Sequence, residues 1–150
     1  MERKIIKRLN IYYYGMLALA ILVATGVYFM VMKDIVSPLN PLSTAGQVIQ
    51  YFVIFDVLVT LPVGLYGFKR MCRKLRTVED ETEKMLTYGR YATWRIVVVS
   101  NGMVLGIAAF YLLGAYQSML WMAAIAAIGW YFSKPTERKM ELEMNATEDY

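Results

Sequence analysis

Residues 47–68 read QVIQYFVIFDVLVTLPVGLYGF, an apolar run of 22 residues broken by one carboxylate, Asp56, near its middle. As a helix rising about 1.5 Å per residue, such a run covers the about 30 Å hydrocarbon core of a bilayer. It is expected to cross a membrane with Asp56 near mid-depth. An ionisable group there costs roughly 3 kcal/mol on insertion scales, so Asp56 is expected to face a partner or a watery cavity.

Three further runs are of the same kind: 11–32, 92–113 and the shorter 115–132. The chain has 150 residues, 58% of them hydrophobic, and a mean hydropathy of +0.40, while its charges gather between and outside these runs. Backbone polar groups in lipid must be satisfied internally, which leaves helices or a closed barrel. Barrel strands would alternate every second residue over about ten residues. These runs are continuous and about twice as long, so they are expected to be helices. The predicted fold is an all-α integral membrane four-helix bundle, a single domain over 1–150, built as two antiparallel hairpins with short helical extensions. The first run follows MERKIIKRLN, as a signal peptide's would, but its 22 residues exceed the about 7–15 of such a segment, and it is expected to remain as a helix.

Orientation follows from Lys and Arg near the helix ends. Arg3, Lys4, Lys7 and Arg8 precede the first run. Lys69, Arg70, Arg73, Lys74, Arg76, Lys84 and Arg90 lie between the second and third, and Lys134, Arg138 and Lys139 follow the fourth. The opposite side carries Lys33 alone. Segments 1–10, 69–91 and 133–150 are therefore expected in the cytoplasm of a bacterial cell, against anionic headgroups of the inner membrane. The net charge of +4 is accounted for by this asymmetry, and no nucleic-acid partner is expected.

The chain has no histidine and one cysteine, Cys72. That removes an intrachain disulfide, His-based metal and haem ligation, and the commonest general base. No cofactor, metal or catalytic group is expected.

In the first helix Tyr12, Tyr13 and Tyr14 are placed to form an interfacial aromatic belt. The loop 33–46 contains Pro38 and Pro41, and Ser43 or Thr44 is expected to cap the next helix. On the second helix Phe52, Asp56, Thr60 and Gly64 recur at four-residue spacing, a polar and small stripe expected to face inward, and Pro62 frees a carbonyl where a kink can form. The helix is expected to run on past Phe68, with Gly89 as the break before the third. There, Gly102 and Gly106 form a GxxxG face for close helix crossing. Arg95, about 5 Å past the start of its run, is expected to reach back to water as an interfacial anchor beside Lys69 and Arg70. Asn145-Ala146-Thr147 matches a glycosylation acceptor, but a cytoplasmic tail does not meet that machinery and the match is set aside.

Arg8 with Gly15-Met16 recurs at the offset of Arg95 with Gly102-Met103, and Gly64-Leu-Tyr66-x-x-Lys69 echoes Gly129-Trp-Tyr131-x-x-Lys134. These matches read equally as a parallel duplication of the hairpins or as coincidence in apolar sequence.

By rise per residue, Asp56, Asn101 and Thr25 lie at similar depth and are expected to meet, with Thr60 beside them. Asp56 reads either as a structural carboxyl held by Asn101 and Thr25 or as a group that exchanges a proton. Three functional classes follow: an accessory or assembly subunit acting through a homo-oligomer or a larger membrane complex, a small oligomeric proton-linked transporter or channel with Asp56 in the pathway, and a lipid-acting enzyme. The enzyme is the weakest for want of convergent catalytic groups. The non-enzymatic accessory subunit is the favoured expectation.

Overall fold

In the computed structural model, which describes residues 1–145, the chain is all-α with no strand among the described residues. The helices are α1 (Glu2–Met32), α2 (Thr44–Pro62), α3 (Phe68–Lys74), α4 (Glu81–Leu112), α5 (Gln117–Phe132) and α6 (Glu137–Asn145). Three helical stretches, Glu2–Met32, Thr44–Thr77 and Glu81–Leu112, are long and apolar enough to cross a membrane. The glycosylation match ending at Thr147 runs outside the described residues.

The apolar runs mark where the helices turn greasy rather than where they begin. Charged residues before Ile11 continue α1, because Arg and Lys are good helix formers and nothing in MERKIIKRLN breaks a helix. The second run also continues past its apolar part. Pro62 ends α2, one π-helical turn follows at Val63–Gly67, and α3 and a 3₁₀ turn at Leu75–Thr77 carry the rod on. A proline without an N–H and a π-turn are the ordinary devices for such a break in the hydrogen-bond ladder.

The break before α4 lies at Val78–Asp80 and not at Gly89, the position expected from sequence. Asp80 caps α4 by accepting a hydrogen bond from the Thr82 N–H at 2.9 Å, and Glu81 and Glu83 occupy the first turn, where the helix dipole favours acids. Gly89 sits inside α4 and serves packing: a Cβ there would lie 3.3 Å from Ile5 Cγ2 of α1.

α4 is the axis of the molecule. In its most apolar stretch 44% of residues are buried, against 6% in α1 and 17% in the 44–77 rod. α1, α2 and α5 all pack on it, whereas α1 and α2 share no extended contact. The first of the two expected hairpins is therefore absent. The reason lies in the long loop 33–43, which crosses the end of α4: the Leu39 N–H donates to Leu112 O at 2.8 Å, and Pro38 lies against Gly114. The chain is delivered to the other side of α4, where Ser43 caps α2 by accepting from the Gly46 N–H. The second hairpin forms as expected, turned tightly by two left-handed residues, Gly114 (φ 69°) and Ala115 (φ 62°). The two halves are thus not packed alike, which removes the structural basis for reading them as a repeat.

Close crossing rests on missing side chains. A Cβ on Gly106 would fall 2.9 Å from the backbone of Ala123, and one on Gly102 would fall 3.1 Å from Val57 and 3.3 Å from Ala126. Gly64 of the π-turn receives Val99 of α4, and Gly129 of α5 receives Leu61 of α2. These pairings make α5 and α2 antiparallel to α4, while Ile5 at Gly89 and Tyr28 beside Tyr111 make α1 parallel to it. α1 and α5 meet where Tyr13 stacks on Trp130, ring centroids 4.2 Å apart. α5 has 16 residues where 18 were expected, because Ala115 and Tyr116 belong to the turn. At about 1.5 Å per residue it is about 24 Å long, short of the other three.

Candidate functional site

Two polar centres stand out. The first is the one expected from sequence, on the middle turns of α2 and α4. Asn101 Nδ2 lies 3.4 Å and 3.5 Å from the two carboxylate oxygens of Asp56, a long and weak bifurcated contact in which the amide donates. Thr60, one turn along α2, has its hydroxyl buried with no hydrogen-bond partner. Thr25 does not join them. It lies on an exposed part of α1 and donates to Ile21 O of its own helix at 2.8 Å, because α1 never comes alongside α2. The stripe Phe52, Asp56, Thr60 and Gly64 does not all face inward either: Gly64 is buried, Asp56 and Thr60 are half-buried, and Phe52 is exposed.

What surrounds this pair matters more than what it contains. Asn101 is exposed although it sits on the central helix. At 3.6 residues per turn, Val97, Asn101, Val104 and Ala108 form one stripe of α4. One neighbouring side of the helix takes α1 through Gly89 and Tyr111, and the other takes α2 through Val57 and Gly64. Since α1 and α2 share no extended contact, this stripe is the floor of a cleft between them that is open at Asn101 and Val97, the latter 41% exposed, and half-covered at Val104 and Ala108, with Asp56 on one wall.

The second centre is at the end that carries both described chain ends. Arg95 is only 4% exposed, so its expected role as an anchor reaching water does not hold. It stays inside because α6 folds back over the bundle end and brings a carboxylate to it. Arg95 Nη1 donates to Glu143 Oε1 at 2.9 Å, and Tyr88 Oη donates to Glu143 Oε2 at 2.6 Å. On its other side the guanidinium lies 3.7 Å from the centroid of the Phe68 ring, a cation–π contact strengthened by desolvation. Arg95 Nε and Nη2 have no partner among the described residues. Met140 and Met144 of α6 are buried beside Phe68, Cys72, Leu75 and Tyr88, so the free Cys72 thiol is packed in apolar surroundings. Half-buried Lys139 donates to Phe132 O; burial first, and then the nearby Arg95 charge, hold its ammonium below the usual lysine range. Lys69 and Arg70 are exposed.

Sequence reasoning missed Glu143 and Tyr88. A signal existed. An ionisable group inside a greasy helix seeks a partner, and Tyr88, Ala92, Arg95, Ile96 and Val99 fall at the three- and four-residue steps of one helix face. On the tail, Met140, Glu143 and Met144 also share a face. In the second centre the Glu143 carboxylate is shared between Tyr88 and Arg95, and among the described residues no three potential metal-ligating side chains converge.

Neither a protein-family model, nor a curated protein, nor a solved structure matches this chain.

Proposed function

We propose that this chain is a small, non-enzymatic subunit of the bacterial inner membrane, crossing it four times with both termini in the cytoplasm, and acting by accessory or assembly contacts with a second copy or another membrane protein. One observation carries this reading. The Asp56–Asn101 pair lies at mid-length of the apolar helices on the floor and wall of an open cleft, where a bilayer would set a carboxyl and an amide against lipid chains. Lipid offers them no hydrogen bonds, and an unpaired polar group in hydrocarbon costs several kcal/mol. A helix from a partner, seated between α1 and α2, supplies both the cover and the missing bonds. The fourth crossing is α5, short at about 24 Å but flanked by Tyr116 and Trp130, which suit headgroup level. The concentration of Lys and Arg at the end shared by the chain ends supports the orientation.

A second reading, a small oligomeric proton-linked carrier, draws on the unpartnered Thr60 hydroxyl one turn from Asp56. Polar groups in line along a helix are what an ion path needs. Native mass in a mild detergent, read together with pH-dependent ion flux in vesicles, distinguishes the two. The wild-type chain, 17.2 kDa, is expected in a complex of at least twice that mass. Asp56→Asn should preserve it, since an amide still donates and accepts, and Asp56→Leu should disperse it. A wild-type protein that runs as a lone monomer would count against the subunit reading. A stable Asp56→Asn complex that has lost pH-dependent ion flux would favour the carrier.

A further inference from the structure

A groove of about 450 Å³ lies between α1 and α4 near the end that carries the chain ends, within the about 300–1,000 Å³ range of small-molecule sites. Two arginines line it, Arg8 from α1 and Arg90 from α4, and no acidic residue does. Neither guanidinium has an ion-pair partner among the described residues. Their level follows from the sequence: Arg8 lies three residues before the apolar run of α1 and Arg90 two before that of α4, and the two helices are parallel. Both charges therefore stand about 3–5 Å outside the apolar zone at about 1.5 Å per residue, which is headgroup depth for a chain that spans. Tyr12 and Thr93 also line the groove, each about one turn beyond its arginine toward the apolar run of its helix, and Gly89, lacking a side chain, keeps the floor low beside Ile5. Thr93 also donates to Gly89 O at 2.9 Å, which leaves its oxygen free to accept.

We propose that this groove holds the headgroup of an anionic glycerophospholipid, its phosphate between the Arg8 and Arg90 guanidiniums, its glycerol against Tyr12 and Thr93, and its chains running along the α1–α4 seam. The inference rests on the membrane reading above and adds to it a specific site where general attraction to anionic headgroups was expected. Two guanidiniums clamp a phosphate with paired N–H bonds. The order of charge, then hydroxyl, then apolar seam matches the order of a phospholipid from phosphate to acyl chain. A zwitterionic lipid would bring its ammonium into a site with two cations and no acid.

The test is native mass spectrometry and thermal melting of the full chain in mild detergent, titrated with phosphatidylglycerol, phosphatidylcholine or inorganic phosphate. The wild type should retain one phosphatidylglycerol and melt higher with it, but not with phosphatidylcholine or phosphate alone. Arg8→Gln with Arg90→Gln should weaken retention roughly 25-fold, at the about fivefold per basic side chain that a headgroup contact is worth. Both residues are exposed, so folding should survive, and Lys33→Gln, exposed at the opposite end of α1, serves as a control that should bind as wild type does. Equal binding by the Arg8/Arg90 variant, or equal binding of phosphatidylcholine, overturns the site. Carbonate washing of cell membranes separates the two levels: a chain that washes off overturns the membrane reading and this site together, whereas one that stays but shows no phosphatidylglycerol preference overturns the site alone.

Discussion

Arg95 shows how a single charge organises one end of the molecule. Two charge-assisted contacts converge on Glu143, and an aromatic face closes the other side. Removing one member of a buried ion pair leaves the other uncompensated and costs about 3–5 kcal/mol, while replacing both by apolar residues is often close to neutral. Glu143 is itself 20% exposed at its side chain, which puts the expected cost of Glu143→Leu near the low end, about 3 kcal/mol. Arg95→Leu should cost a similar amount, by leaving the carboxylate with Tyr88 alone. The double variant Arg95→Leu/Glu143→Leu should be more stable than the sum of the two losses implies. Denaturant or thermal unfolding of the three variants in detergent gives the coupling energy; strict additivity would mean that the pair does not interact. That Arg95 would be buried was not legible from its own stretch, because the group that holds it lies 48 positions away in a tail whose overall polarity resembles a solvated extension.

At the scale of elements, glycine spacing was the most readable signal and loop path the least. Gly102 and Gly106 announce a close crossing in the sequence, and α5 crosses there over Ala123 and Ala126. Gly106→Leu should therefore force α5 off α4, because the atoms a Cβ would meet are backbone and cannot yield. Among exposed glycines, Gly15 and Gly26 of α1 have nothing within 4 Å of a built Cβ, so Gly26→Leu should fold as wild type does. A melting curve of Gly106→Leu that overlays that of Gly26→Leu would contradict the packing described. The partner of α1 could not be read in the same way. Hairpin pairing is the default for consecutive helices, and only the hydrogen bond from Leu39 to Leu112, between residues far apart in the chain, reveals that the loop crosses over α4. Gly89 misled for a related reason. A glycine reads as a break until a second helix is seen to lie against it, while the actual boundary was marked by Asp80 and its cap on Thr82.

For the whole molecule, helix content and the greasy spans follow directly from run length, which is a property of each segment alone. The arrangement around α4 does not, because it depends on which faces the other helices leave free. Three neighbours cover the sides of α4 that carry glycine, alanine and Arg95. The least covered side carries exposed Val97 and Asn101 with half-buried Val104 and Ala108, and the conflict of an amide and a carboxyl on a face open to lipid is what the proposed partner helix resolves. The most direct measurement is photo-crosslinking in native membranes from a photoreactive residue placed at Val97, one turn from Asn101 and exposed in the cleft. A discrete protein adduct, lost when Asp56→Leu is added, is the expected result. Crosslinking to lipid alone, unchanged by Asp56→Leu, would contradict it.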